Sequence, residues 1–305
     1  MAQPAIVVEA FRKSYGDVEA VAGIDFTVAE GEIFGLLGPN GAGKTTTLEC
    51  LEGIRFPTAG TLRVRGVDPT REPGRLRDVI GVQLQTSSLP ETMRVEEAMR
   101  FFCAYHGVAP RLDMLDRLGL QPKLRAEYGT LSTGQQRRLA LALALAHDPP
   151  VVFLDEPTAG LDVGTRAELH ALVGELRERG VALILATHDM AEAEKLADRV
   201  AILLAGRIVA TGTPKSLTAA AADLTRVTVR SERETLAERT EPLPGVQRRA
   251  RKDGYDVFFT DAVGPTVAAV LRALEEAGDP LVDLRVERPS LEERFLELTT
   301  NGGVA

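Results

Sequence analysis

The sequence predicts an α/β domain with a mostly parallel sheet over residues 1–220, followed by a small α+β domain over residues 221–305. Three observations carry this. The runs Val151–Leu154 and Val181–Ala186 are continuously apolar, as parallel strands buried on both faces are. A helical pattern lies between them, with Asp162 in N-cap position, Leu169, Leu172, Val173 and Leu176 on one stripe, and Gly180 as the stop. After Pro214 the pattern changes, and valines begin to alternate with charge.

Taken in order, the further strand candidates of the first domain are Ile24–Val28, Ile33–Leu37, Leu62–Val64, Val79–Val82 and Val200–Leu204. Their alternation with helical segments gives the α/β reading. In the second domain an Ala-rich stretch (217–223) leads into Val227 and Val229, then a polar segment to about Asp253. Tyr255–Thr260 reads as a strand, Pro265–Ala277 as a helix stopped by Gly278, and Leu281–Val286 as a strand. A last helix opens at Ser290 with Glu293 in capping-box position and Leu291, Phe295 and Leu298 on one face. The run Arg248–Lys252 reads as a solvated loop.

The 305 residues are 44% hydrophobic and 26% charged, the balance of a globular chain with a real core. The net charge of −8 argues against nucleic acid as the main partner, because phosphate binding needs an excess of positive charge. Two cysteines, Cys50 and Cys103, are too few for a disulfide framework and fit packing roles in a reduced compartment. The longest apolar run, Leu139–Ala146, falls far short of the roughly 20 residues of a spanning helix. The N-terminal segment carries no apolar block of signal-peptide type. A path through a bilayer would have to belong to another chain.

Gly38-Pro-Asn40-Gly41-Ala-Gly43-Lys44-Thr45 fits GxxxxGK[ST] at every fixed position. It follows an apolar strand and opens a helix that continues through Thr46, which is the context the motif requires. The glycines let backbone N–H groups surround phosphate, and the helix N-terminus adds partial positive charge. Lys44 would place a full charge on the β/γ-phosphates, and the Thr45 hydroxyl could ligate Mg²⁺. A unit charge pair at 4 Å is worth about 4 kcal/mol at an effective dielectric of 20. A helix terminus gives about 0.3–1 kcal/mol, so Lys44 contributes more to phosphate binding than the helix end does.

Val151–Leu154 ends in Asp155 and Glu156. In a P-loop protein the first fits an Mg²⁺-holding role, and the second could orient or deprotonate a water attacking the γ-phosphate. His188 follows another apolar strand and precedes a helix that Asp189 and Glu192 could cap, a place where α/β sheets build sites. Leu131-Ser132-Thr133-Gly134-Gln135 contains a capping box, Ser132 with Gln135. From the pattern alone, this segment is either a plain cap or a second phosphate-binding helix end.

Together these residues resemble the ATP-binding subunits of ABC transporters, over roughly residues 5–215. Six elements occur in order: Tyr15 ahead of the first strands, the P-loop, Gln85, the Ser132–Gln135 signature, the strand ending in Asp155-Glu156, and His188 after Ala159-Gly-Leu-Asp162. The resemblance implies a P-loop ABC-type ATPase core with a helical subdomain. It further implies a head-to-tail homodimer that sandwiches two ATP, each between one P-loop and the other chain's signature.

Carried over by position, Tyr15 would stack on adenine, and Gln85 would reach Mg²⁺ and signal to the partner. Ser132 and Gly134 would contact the γ-phosphate in trans. Glu156 would be the catalytic carboxylate, His188 the γ-phosphate sensor, and Asp162 the coupling between sites. Thr133 stands where the family has a second signature glycine, and Gln83 competes with Gln85 for its loop. The closing Pro289–Thr299 stretch resembles drug-resistance-type subunits such as daunorubicin/doxorubicin exporters, which work with a separate ABC-2-type permease. This implies a peripheral protein on the cytoplasmic side of the membrane that powers export, the implied cargo being a drug or other hydrophobic compound. An importer ATPase with a regulatory tail is the alternative. Chromosomal ABC proteins are set aside because no sustained heptads lie between Lys44 and Ser132.

Overall fold

The computed structural model describes residues 4–84, 89–219, 224–239, 241–287 and 290–301. It divides into two compact units, Met1–Pro214 and Lys215–Ala305. The division falls at the start of a helix, a few residues before the expected 220.

The first unit opens with β1 (Ile6–Tyr15), β2 (Val18–Val28) and β3 (Ile33–Leu37), followed by α1 (Lys44–Leu51), β4 (Ala59–Val64), α2 (Pro73–Val79) and β5 (Ile80–Gln83). Helices α3 (Val95–Tyr105), α4 (Leu112–Arg117) and α5 (Thr133–Ala144) come next, then β6 (Val151–Asp155), α6 (Val163–Glu178), β7 (Ala182–Thr187), α7 (Met190–Leu196), β8 (Arg199–Leu204) and β9 (Arg207–Gly212). An antiparallel sheet runs β2-β1-β4, and a six-stranded sheet runs β5-β6-β7-β3-β8-β9. The latter is parallel from β5 to β8, with β9 antiparallel at its edge.

Burial explains the apolar runs. Every residue of β3, β6 and β7 is buried. One core joins the two sheets through α1, with Phe11, Ile24, Phe34, Leu48, Leu51, Phe153 and Ile184 among its members. The helix expected after Asp162 is α6, with Leu169, Leu172, Val173 and Leu176 all buried.

Two strands of the first unit lie outside the sequence expectation. In β1 the register slips between Val8 and Arg12, which breaks the alternation that would announce a strand. Tyr15 is therefore the last residue of the first strand rather than ahead of it. In β9 the half-buried residues alternate with exposed ones on an edge.

The second unit contains α8 (Pro214–Ala219), β10 (Thr225–Ser231), β11 (Val246–Lys252), β12 (Tyr255–Thr260), α9 (Val263–Ala277), β13 (Leu281–Glu287) and α10 (Leu291–Asn301). Its antiparallel sheet runs β11-β12-β10-β13. Val227, Val229, Phe258, Val270 and Leu274 form its own core with α9. Ser290 and Glu293 form the expected capping box. The run Arg248–Lys252 is a strand, not a loop. It pairs with β12 through Asp253-Gly254, both at positive φ (51° and 79°), as a two-residue hairpin of mirror-type turn geometry requires.

Candidate active site

Three strand ends meet at one edge of the six-stranded sheet. Leu37 pairs with Thr187, and Asp155 with Ala186. Gly38, Glu156 and His188 therefore leave the sheet as neighbours, at the carboxyl ends where open α/β sheets place ligands.

The loop from Gly38 to Gly43 winds between β3 and α1 with no room for side chains at its two ends. A Cβ on Gly38 would stand 2.3 Å from the Leu203 carbonyl oxygen. One on Gly43, whose φ is +104°, would stand 2.6 Å from that of Ala20. Gly43 caps α1 without a side-chain bond, and no acidic residue occupies the first turn. Nothing in that turn neutralises the positive helix end. Asn40 and Gly41 lie exposed at the loop tip, Thr45 is exposed, and Thr46 is half-buried.

Lys44 is buried, and its Nζ donates to the carbonyls of Gly38 at 2.7 Å and Pro39 at 3.1 Å. Burial lowers its pKa, while nearby Glu156 and Asp155 oppose the shift. The Thr45 hydroxyl donates to Asp155 Oδ2 at 2.9 Å. Asp155 is 3% exposed and its Oδ1 has no partner among the described residues. Desolvation raises its pKa, and Glu156 adds to the rise. A hydroxyl beside a buried carboxylate with one oxygen to spare fits a hard, oxygen-seeking divalent cation.

Glu156 is buried with φ +50°, an uncommon conformation for a residue other than glycine. Its backbone is held on both sides: its N–H donates to Ala186 O at 2.9 Å, and its carbonyl accepts from Arg137 Nη1. The carboxylate meets His188 Nδ1 at 2.8 Å, while the rest of the imidazole stays largely exposed. Sequence pattern does not single out Arg137. Its only signal there is the Arg137–Arg138 pair entering an otherwise apolar helix.

The signature segment sits at the start of α5. Ser132 Oγ accepts from Gln135 N at 3.3 Å, and Gln135 Oε1 accepts from Ser132 N at 3.0 Å. Ser132 is exposed and Gly134 half-buried. Among the described residues no hydrogen bond joins 132–135 to the P-loop. Asp162 caps α6, its two carboxylate oxygens accepting from Thr165 N at 3.0 Å and Thr165 Oγ1 at 2.7 Å. These bonds hold its pKa below the usual carboxylate value. Tyr15 is 40% exposed, with Lys13 Nζ 4.8 Å and Arg55 Cζ 5.4 Å from its ring centre. Gln85 lies outside the described residues. Gln83 ends β5, buried, with Oε1 unpartnered among the described residues.

The geometry thus brings Lys44, Thr45, Asp155, Glu156 and His188 together at the start of α1. The family model described as ABC transporter matches residues 21–159. The daunorubicin resistance ATP-binding protein DrrA3 of Streptomyces coeruleorubidus is 38% identical over 98% of this chain and 97% of its own. A Nod factor export ATP-binding protein I of Paraburkholderia xenovorans is 40% identical over 79% of this chain and 84% of its own. Among solved structures, an ATP-binding subunit of an ABC transporter superposes with TM-score 0.67 at 28% identity, covering 70% of this chain and 91% of that one. A dimeric ATP-binding cassette in a post-hydrolysis state with ADP and Pi gives TM-score 0.64 at 25% identity, covering 68% and 98%. The chain belongs to the ATP-binding subunits of ABC transporters, P-loop ATPases that couple ATP hydrolysis to transport.

Proposed function

We propose that this chain binds and hydrolyses ATP to drive export through a separate ABC-2-type permease at the cytoplasmic face of the membrane, with a drug or another hydrophobic compound as cargo. The observation that carries the ATPase part is the juxtaposition of Lys44, the Thr45–Asp155 pair and the His188–Glu156 pair at one sheet edge. Likeness to drug-resistance and Nod-factor export subunits along most of the chain supports export over import.

In this reading Lys44 leaves the Gly38 and Pro39 carbonyls for the β/γ-phosphates, and the open start of α1 adds its N–H groups. Thr45 and Asp155 would hold Mg²⁺, which supplies charge neutralisation on the phosphate oxygens. Glu156 orients the attacking water and takes its proton, while His188 fixes the carboxylate and faces the γ-phosphate. Tyr15, flanked by two cations, offers its ring to adenine. Ser132 and Gly134, at the start of α5, serve the partner's nucleotide, and Asp162 couples the two sites. Such an arrangement needs a head-to-tail homodimer.

An apolar cavity of about 390 Å³ between β5, α3 and α5 is lined by Val82, Leu84, Leu89, Phe102 and His147. Phe101 and Tyr105 stand exposed nearby. This surface, adjoining residues 89–105, is where the permease would dock. No helix among the described residues is long and apolar enough to cross a membrane, so the cargo path falls to another chain. Tagging the chain in its native cell and solubilising membranes gently tests the proposal. Near-equal recovery of a polytopic protein of about six spans is expected, and recovery from cytosol alone would contradict it.

A further inference from the structure

Helix α5 touches the loop that leaves β6 at both of the loop's ends. From the second turn of α5, Arg137 Nη1 donates to the Glu156 carbonyl. At the start of α5, a Cβ on Gly134 would stand 3.6 Å from Leu161 Cδ2, at ordinary packing distance. Leu161 is buried and directly precedes Asp162, the cap of α6. The loop between these contacts is itself tightly folded. Ala159 N–H donates to the Glu156 carbonyl at 3.3 Å, and Leu161 N–H donates to that of Thr158 at 3.1 Å.

The two adjacent arginines of α5 do different things. Arg138 Nη1 donates to the Leu118 carbonyl at the end of α4, at 3.2 Å. Arg137 is half-buried, forms no ion pair among the described residues, and spends its guanidinium on Glu156. A hydrogen bond from a charged donor is roughly twice as strong as a neutral one. It falls on a residue held at φ +50°, and strained backbone persists only where its surroundings over-determine it. The groups that would hold ATP, Lys44 and Thr45, stand on a different helix, α1.

We propose that Arg137 is a positioning residue, through which the start of α5 sets the Glu156 carboxylate of its own chain. The start of this helix, Ser132 and Gly134, serves the partner's nucleotide, so α5 joins two sites. Engagement of its start by the partner's γ-phosphate fixes the helix, and with it the guanidinium that holds Glu156 toward its water. A free start leaves α5, and the support of Glu156, able to shift. This inference rests on the ATP-sandwich reading and adds to it the residue that links one nucleotide to the other chain's catalytic carboxylate.

The test reads the first turnover of mixed dimers by rapid quench. A hydrolysing chain is mixed with a saturating excess of full-length Glu156→Gln chain. The competent site then pairs the hydrolysing chain's Glu156 with the other chain's Ser132. Circular dichroism confirms that each variant is folded. Arg137→Leu in the hydrolysing chain should slow the first turnover about 10- to 100-fold, while half-saturating ATP changes only a few-fold. Arg137→Lys, which keeps a charged donor, should recover part of the loss. Arg137→Leu placed instead in the Glu156→Gln chain should leave the rate near wild type.

Ser132→Gly removes the hydroxyl at little cost to the helix cap. In the hydrolysing chain, whose own nucleotide it does not face, it should slow the first turnover about tenfold. Added to Arg137→Leu it should slow it no further. The inference is overturned by a wild-type rate in Arg137→Leu or in this Ser132→Gly chain. It is equally overturned by Arg137→Lys as slow as Arg137→Leu, by equal loss with Arg137→Leu in either chain, or by two losses that multiply. The sandwich reading fails on a different result: Ser132→Gly in the Glu156→Gln chain should also slow hydrolysis, and no effect there removes the trans site and this inference with it.

Discussion

His188 Nδ1 lies 2.8 Å from the Glu156 carboxylate, although the two residues close different strands, β7 and β6. The pairing of Asp155 with Ala186 sets these strand ends level. The backbone bonds of Glu156 to Ala186 and Arg137 then hold its positive φ. Strain of this kind persists only where surroundings over-determine it, and it concentrates at functional sites. The imidazole therefore meets a carboxylate already locked in direction.

Replacing His188 with Ala should lower kcat about 100-fold or more, the scale of losing one positioned polar group in a hydrolytic site. ATP affinity should change only a few-fold, because Lys44 and the helix end remain. Steady-state hydrolysis and a nucleotide titration separate the two. An unchanged kcat would remove His188 from the reaction.

Lys44→Ala should weaken ATP binding by about 100-fold, part of the roughly 4 kcal/mol of a close charge pair in a partly screened site. Titration with a fluorescent ATP analogue measures it. Near wild-type affinity would place the phosphates elsewhere.

Ser132→Arg should block hydrolysis while leaving the affinity of a single chain for ATP nearly intact, because in the proposed dimer this helix end serves the other subunit's nucleotide. Equal loss of both would argue that Ser132 acts within its own chain.

Stability should fall with rising pH in a window set by Glu52. This residue is buried at the end of α1, both carboxylate oxygens lack partners among the described residues, and burial pushes its pKa up from 4.5 to about 8, with Asp155 and Glu49 adding to the rise. Between those values the folded chain keeps a proton that the unfolded chain has released. This contribution is fully present below pH 4.5 and is lost as pH rises toward 8. The slope is about 1.4 kcal/mol per pH unit. Glu52→Gln should flatten this part of the profile in urea unfolding series at pH 5 to 8; a profile parallel to wild type would contradict it.

Much of this site is legible in the sequence because its signals are local. The P-loop announces its own strand and helix, Asp162 and Ser132 cap the helices they precede, and buried parallel strands must be apolar throughout. What escapes depends on partners distant in sequence. The bulged register of β1 hides the strand ending in Tyr15. The basic run at 248–252 reads as solvated because its strand character comes from Asp253-Gly254 folding it onto β12. The Arg137–Glu156 contact joins two motifs through tertiary packing that no spacing encodes.

In the proposed reaction Glu156 activates water at an ATP site whose binding parts lie elsewhere. Multiple-turnover hydrolysis by Glu156→Gln, measured alongside ATP retained by the protein, tests it most directly. Tight ATP retention is expected, with turnover lost by about 100-fold or more. Sustained hydrolysis near the wild-type rate would contradict it.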